Sequence, residues 1–210
     1  MSTRFVPKGP IYKDLNDKLR QETRNGVIQA EFMFATAANW DPGKRISPEL
    51  LLELQRLAVN QIYRCAGHFR DDSVTLPGVK HKPPLHFQVE GLVDEMCAYI
   101  NDHWSQCSAV HLAAYAMWRV NWIHPFFGGN GRSARALSYL VLLAHVGFAL
   151  PGEKTIPELI VDNRDPYFAA LRAADSAWEN GVLDVSEMET LISELLAIQL
   201  VQLHKTATGK

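Results

Sequence analysis

The stretch His124-Pro125-Phe126-Phe127-Gly128-Gly129-Asn130-Gly131-Arg132-Ser133-Ala134-Arg135 concentrates the residue types on which chemistry could be built. Gly128, Gly129 and Gly131 let backbone N–H groups converge, and let a phosphate approach without meeting a Cβ. Pro125 ends a preceding helix near His124, and the chain re-enters a helix near Arg132, adding free N–H donors and the positive end of a helix dipole. Arg132 and Arg135, three apart, share a helical side and can grip two phosphates of one polyphosphate chain. The pattern describes an anion cradle. His124 beside it, with an ordinary pKa of about 6.5, can take a proton from an incoming hydroxyl at neutral pH. A Walker A loop would need a lysine after its last glycine and a strand before it. A dinucleotide fingerprint would need a third glycine at the correct spacing; neither is present.

Such a loop needs rigid elements on both sides, and the periodicity supplies helices. Residues 110–123 and 134–150 are apolar nearly all round, as two helices in the middle of a bundle would be. Ser47-Pro48-Glu49 forms a helix start, and Leu51, Leu54, Ala58 and Ile62 follow on one face. Val89, Leu92, Val93, Met96 and Ile100 mark another helix. Further helices are expected over 166–178 and 186–204. Between the first two marked helices, Pro77-Gly78 has the residues of a type II turn. Flanked by Ser73, Val74, Thr75 and Leu76 and by Val79, Lys80, His81 and Lys82, it reads either as a short hairpin or as a surface loop. A hairpin would offer backbone edges to an extended peptide.

The loop resembles the signature of the Fic (Fido) family, His-x-Phe-x-Asp/Glu-Gly-Asn-Gly-Arg-x-x-Arg, with seven of its eight defining positions in register. Tyr63 to Arg70, the Pro77-Gly78 segment and Pro83-Pro84 are similar to the family's flap region, and Asp165-Pro166-Tyr167 to its segment downstream. The resemblance implies an all-α bundle with a small β-hairpin flap. It divides the chain into an N-terminal extension over 1–46, helical and packed on the core, a Fic core over 47–178, and a C-terminal helix over 179–210 completing the bundle. It implies a protein adenylyltransferase that moves AMP from ATP to a Ser, Thr or Tyr hydroxyl of a target protein. By position, His124 would be the general base and Phe126 a packing residue. Gly129, Asn130 and Gly131 would surround the α-phosphate, with Arg132 on the β- and Arg135 on the γ-phosphate. Ser73, Val74, Thr75, Leu76, Val79 and Lys80 would align the target chain.

One position departs from the family. Gly128 stands where an Asp or Glu would hold magnesium on the phosphates, and glycine has no side-chain oxygen for a hard cation. A glutamate at 128 is therefore expected to raise magnesium-dependent transfer. The alternative is a nucleotide-binding regulatory or interaction module with reduced or lost transfer. The family's inhibitory pattern, Ser/Thr-x-x-x-Glu-Gly/Asn, is not matched. Residues 20–26 hold suitable types in the wrong order, and 176–180 fall one residue short; each reads either as a degenerate inhibitor or, by preference, as a chance match, and if inhibition exists a separate antitoxin-like chain is the simpler supplier.

The remaining features are bland. The chain has 210 residues, 47% hydrophobic and 21% charged, an ordinary globular composition. Lys and Arg number 21 against 23 Asp and Glu, so no global basic field points to nucleic acid. Cys65, Cys97 and Cys107 have no metal or disulfide spacing and read as small hydrophobic residues. Trp118 and Trp122 read as core, and His111 and His145 as satisfied histidines, not metal ligands. No signal segment or membrane span is expected, which suits a cytoplasmic protein, or an effector exported by a dedicated apparatus.

Overall fold

The computed structural model describes residues 11–208 apart from Lys13 and Pro42, with side chains to residue 201. The first ten residues of the expected N-terminal extension lie outside it. Eight α-helices and one 3-10 turn, His86–Gln88, make up its regular structure. They are α1 (Leu15–Ala38), α2 (Pro48–Val59), α3 (Val89–Asp102), α4 (Ala109–Ile123), α5 (Asn130–Val146), α6 (Ile156–Asp162), α7 (Asp165–Glu179) and α8 (Ser186–Thr208).

The central pair is α4 and α5, which pack most extensively against each other and are joined by the glycine loop. α4 starts where the Ser108 hydroxyl accepts from the His111 N–H at 3.0 Å. Leu112, Ala116, Met117, Val120 and Ile123 of α4, and Leu137, Leu140 and Val141 of α5, are fully enclosed. Burial all round is what lets two adjacent helix ends be held still. α1 and α2 cover α5 from one side, while α3, α7 and α8 cover α4 from the other. α2 begins as expected, with Ser47 accepting from the Leu50 N–H at 3.4 Å.

α5 starts at Asn130, earlier than the expected 134, and stops at Val146 instead of 150. Gly129, at φ 84, turns the backbone directly into the helix, and Gly147, at φ 82, turns it out. The buried face of α1 consists of Asn25, Gln29, Met33 and Ala37, which is half polar, so no apolar stripe marks it in sequence.

The expected β-hairpin flap is not formed: no strand occurs among the described residues. The turn itself is made, with Gly78 at φ 75 and the Val79 N–H donating to the Leu76 carbonyl at 3.2 Å. Its flanks diverge because each is tied elsewhere. His81 Nε2 donates to the Trp122 carbonyl at 2.7 Å, and Arg70 donates to the Asp72 and Pro84 carbonyls. An isolated two-stranded ribbon does not compete with such anchors. Ser73, Thr75, Val79 and Lys80 remain exposed, and Val74 and Leu76 half-buried.

Trp118 is buried, and its indole N–H donates to Asp175 at 2.9 Å. With Trp122 and Trp178 it surrounds the Arg119 guanidinium, so these tryptophans serve packing. Burial pushes the Cys97 thiol up to about 12, which keeps it inert. His111 bonds Glu189 and Tyr99, and His145 bonds the Trp104 carbonyl. No described helix is long and apolar enough to cross a membrane.

Candidate functional site

His124 caps the C-terminus of α4 in the left-handed conformation, φ 49, one of two described non-glycine residues with positive φ. That is a strained placement for a side chain, and it persists because the surroundings fix it. The chief fixture is Arg70, buried at 2% exposure. Its Nε donates to the His124 carbonyl at 2.8 Å, its Nη2 to the Ile123 carbonyl at 3.3 Å, and its backbone N–H to the Pro125 carbonyl at 2.9 Å. Burial first, then the charges of Arg70 and His81, push the His124 imidazole down to about 4. It is therefore neutral at physiological pH, the form that accepts a proton.

Phe126 is fully buried and stacks on Phe69 at 5.6 Å, which pins the loop to the segment carrying Arg70. Asn130 is buried, and its side chain closes the loop on itself. Nδ2 donates to the Phe126 carbonyl at 2.8 Å, and Oδ1 accepts from the Phe126 N–H at 3.0 Å. What Asn130 offers a phosphate is thus its backbone N–H, not its amide. Gln55, also buried, donates to the Gly128 carbonyl at 3.0 Å and accepts from the Gly67 N–H at 2.6 Å. The N-terminus of α5 carries no side-chain cap, so its first N–H groups are open to an anion.

Arg132 and Arg135 line one cavity of about 520 Å³ between α1, α5 and α6, with Thr23, Gly26 and Lys154 among its other walls. His124 is not one of those walls. Arg135 folds back along the helix until its Nη1 lies 3.3 Å from where a Cβ on Gly131 would be. The Tyr167 hydroxyl holds it there, itself accepting from Asn121 at 2.8 Å. Arg132 Nη1 donates to the Ala58 carbonyl at 3.0 Å and lies 3.5 Å from Glu22 Oε1. The same Ala58 oxygen also receives Asn25 Nδ2 at 3.4 Å. Residues 20–26, which hold the types of the inhibitory pattern in the wrong order, thus bring a carboxylate to the first motif arginine.

The residues do not fit a protein-held magnesium ion. Gly128 offers no side-chain oxygen and its carbonyl is taken by Gln55, and no group of three or more His, Cys, Asp and Glu among the described residues is placed to hold a metal. A Cβ at 128 would stand 2.8 Å from Tyr63 Cε2 and 2.9 Å from Cζ.

Sequence reasoning missed Gln55 and Asn121, and placed Tyr63, Arg70 and Tyr167 in segments resembling the family without giving them a role. All are contacts between distant segments, for which one chain gives no spacing signal.

Fold and site together define an all-helical domain with a glycine-rich loop between two central helices, an uncapped helix N-terminus after it and a histidine before it. Residues 45–142 match the Fic/DOC family. A Drosophila persimilis protein named protein adenylyltransferase Fic is 34% identical over 95 residues, 44% of this chain and 18% of that protein. A Fido domain-containing protein of Dictyostelium discoideum is 38% identical over 88 residues, 42% of this chain and 56% of its own length. The chain thus spans about a fifth of the Drosophila relative and just over half of the Dictyostelium one. In fold it is similar to Fic-1 of C. elegans, with a TM-score of 0.74 at 21% identity over 94% of this chain and 54% of that one. A Fic domain containing signaling protein of Bacteroides thetaiotaomicron gives 0.73 at 20% identity over 95% and 77%.

Proposed function

We propose that this chain transfers AMP from ATP to a Ser, Thr or Tyr hydroxyl of a target protein. One observation carries this function: a neutral, buried imidazole is locked in a left-handed cap immediately before an uncapped helix N-terminus followed by two arginines. In the transfer, His124 takes the hydroxyl proton, the hydroxyl oxygen attacks the α-phosphorus, and pyrophosphate leaves with the electrons of the broken P–O bond. The backbone N–H groups at Gly129, Asn130 and Gly131 face the α-phosphate, Arg132 the β- and Arg135 the γ-phosphate. Little covalent work falls to the protein; alignment and charge neutralisation do most of it. The largely exposed segment from Ser73 to Leu76 and Val79 to Lys80, not paired in strands, is where an extended target chain would lie alongside.

Arg132 reaches this role by leaving Glu22 and the Ala58 carbonyl. Glu22 on α1 therefore serves as a competitor for the phosphates within the chain, whether or not a separate inhibitor chain also acts. The relatives named adenylyltransferases support the chemistry. Incubation with labelled ATP and lysate tests it: label should enter protein, and His124→Ala should abolish that transfer. Gly128 favours a second reading, a nucleotide-binding module without transfer, for which nucleotide binds and no label moves.

A further inference from the structure

Gly128 is not in the left-handed region, so its backbone would accept any residue. What fills its side-chain space is Tyr63, whose Cε2, Cζ and Cδ2 would lie 2.8, 2.9 and 3.3 Å from a Cβ there. The edge that carries the hydroxyl is the edge over the loop. This juxtaposition is built. Gln61, the other described non-glycine residue with positive φ, at 59, turns the chain sharply after α2. The Tyr63 N–H then donates to the Val59 carbonyl at 3.2 Å, and the ring packs beside Ala58, Val59 and Ile62. Buried Gln55 fastens the Gly128 carbonyl with one end of its amide and Gly67, four residues beyond Tyr63, with the other. Loop and tyrosine are therefore held in register by one side chain.

An acid at 128 and the Tyr63 ring in this place are mutually exclusive. The acid would offer anionic oxygens to a divalent cation; the phenol offers a neutral O–H that donates straight to a phosphate oxygen. Arg132, Arg135 and a helix N-terminus are already positive at the cradle, and each carboxylate near it has a partner within the chain: Glu22 lies against Arg132, Asp162 against Lys154 and Glu158 against Thr155. We infer that Tyr63 is a phosphate-positioning residue that takes the place of the metal-binding acid, so that nucleotide is held without a protein-bound magnesium ion. This rests on the reading that the cradle seats a nucleoside triphosphate.

Calorimetric titration with a non-hydrolysable ATP analogue, in magnesium and in EDTA, tests it. The wild-type protein should bind with affinities within about twofold of each other in the two conditions. Tyr63→Phe keeps the ring and removes only the hydroxyl, so it should leave Tm unchanged and weaken binding about tenfold in both, as a lost hydrogen bond to a charged group does. Tyr63→Ala combined with Gly128→Glu should acquire a preference for magnesium of about tenfold, which Gly128→Glu alone, meeting the ring, should not match. Wild-type affinity in Tyr63→Phe, or a tenfold loss of wild-type binding in EDTA, overturns the assignment of Tyr63 while leaving the cradle intact. No binding by the wild type in either condition overturns the cradle itself, and the assignment with it.

Discussion

Two helix ends meet at the loop, and they are treated in opposite ways. At the end of α4, the carbonyls of Trp122, Ile123, His124 and Pro125 all receive donors, from His81, from the Arg70 guanidinium and from the Arg70 N–H. At the start of α5, no side chain reaches the N–H groups. An exposed carbonyl would repel a phosphate, and a capped N–H could not bind one. The contrast teaches that an anion site needs the negative helix end covered as much as the positive end open.

Several substitutions would erase or sharpen that contrast. The largest effect belongs to His124→Ala, which should reduce transfer by about 10²–10⁴-fold while leaving nucleotide affinity nearly unchanged, read by labelled transfer and titration side by side. Arg70→Met uncovers the carbonyls of α4. Loss of about 2–4 kcal/mol in urea unfolding is expected, together with slower transfer, because the left-handed His124 loses its main restraint. Gly129→Ala attacks the other end. The residue sits at φ 84, and the new Cβ would stand 2.6 Å from Val59 Cγ1, so about 1–2 kcal/mol of stability and part of the nucleotide affinity should go.

The pH profile sharpens the comparison further. The imidazole is pushed down to about 4 in the fold, so the acid limb of transfer should have its midpoint near there, with a plateau through pH 6 where an unperturbed histidine would already be mostly protonated. Since the unfolded chain takes up that proton first, stability should fall as pH drops from about 6.5 towards 4, and His124→Phe should remove this dependence. The smallest effect is expected for Glu22→Gln, a fewfold rise in nucleotide affinity, because the Arg132 pair is partly exposed and therefore weak.

The helices around the loop were legible because their burial is written in apolar spacing, and the loop because glycine, proline and arginine each leave a distinct chemical mark. α1 was not locatable as a helix of its own, since it binds α2 through Asn25 and Gln29, which donate to the Asn60 and Leu54 carbonyls. The hairpin failed because Pro77-Gly78 specifies a turn and says nothing about where its flanks go. Arg70 was visible as a letter and not as a clamp. A glutamate at 128 was expected to raise magnesium-dependent transfer; with Tyr63 in that space, the substitution must also move a ring.

The Ala58 oxygen has a consequence for how the cradle exchanges states. Two donors share it, Arg132 and, at longer reach, Asn25. Were the proposed transfer to draw the arginine onto a phosphate, the amide would already be in attendance, and the oxygen would not be orphaned. Loading and emptying then differ by a change of escort at one atom, and neither state has to be prised out of the other.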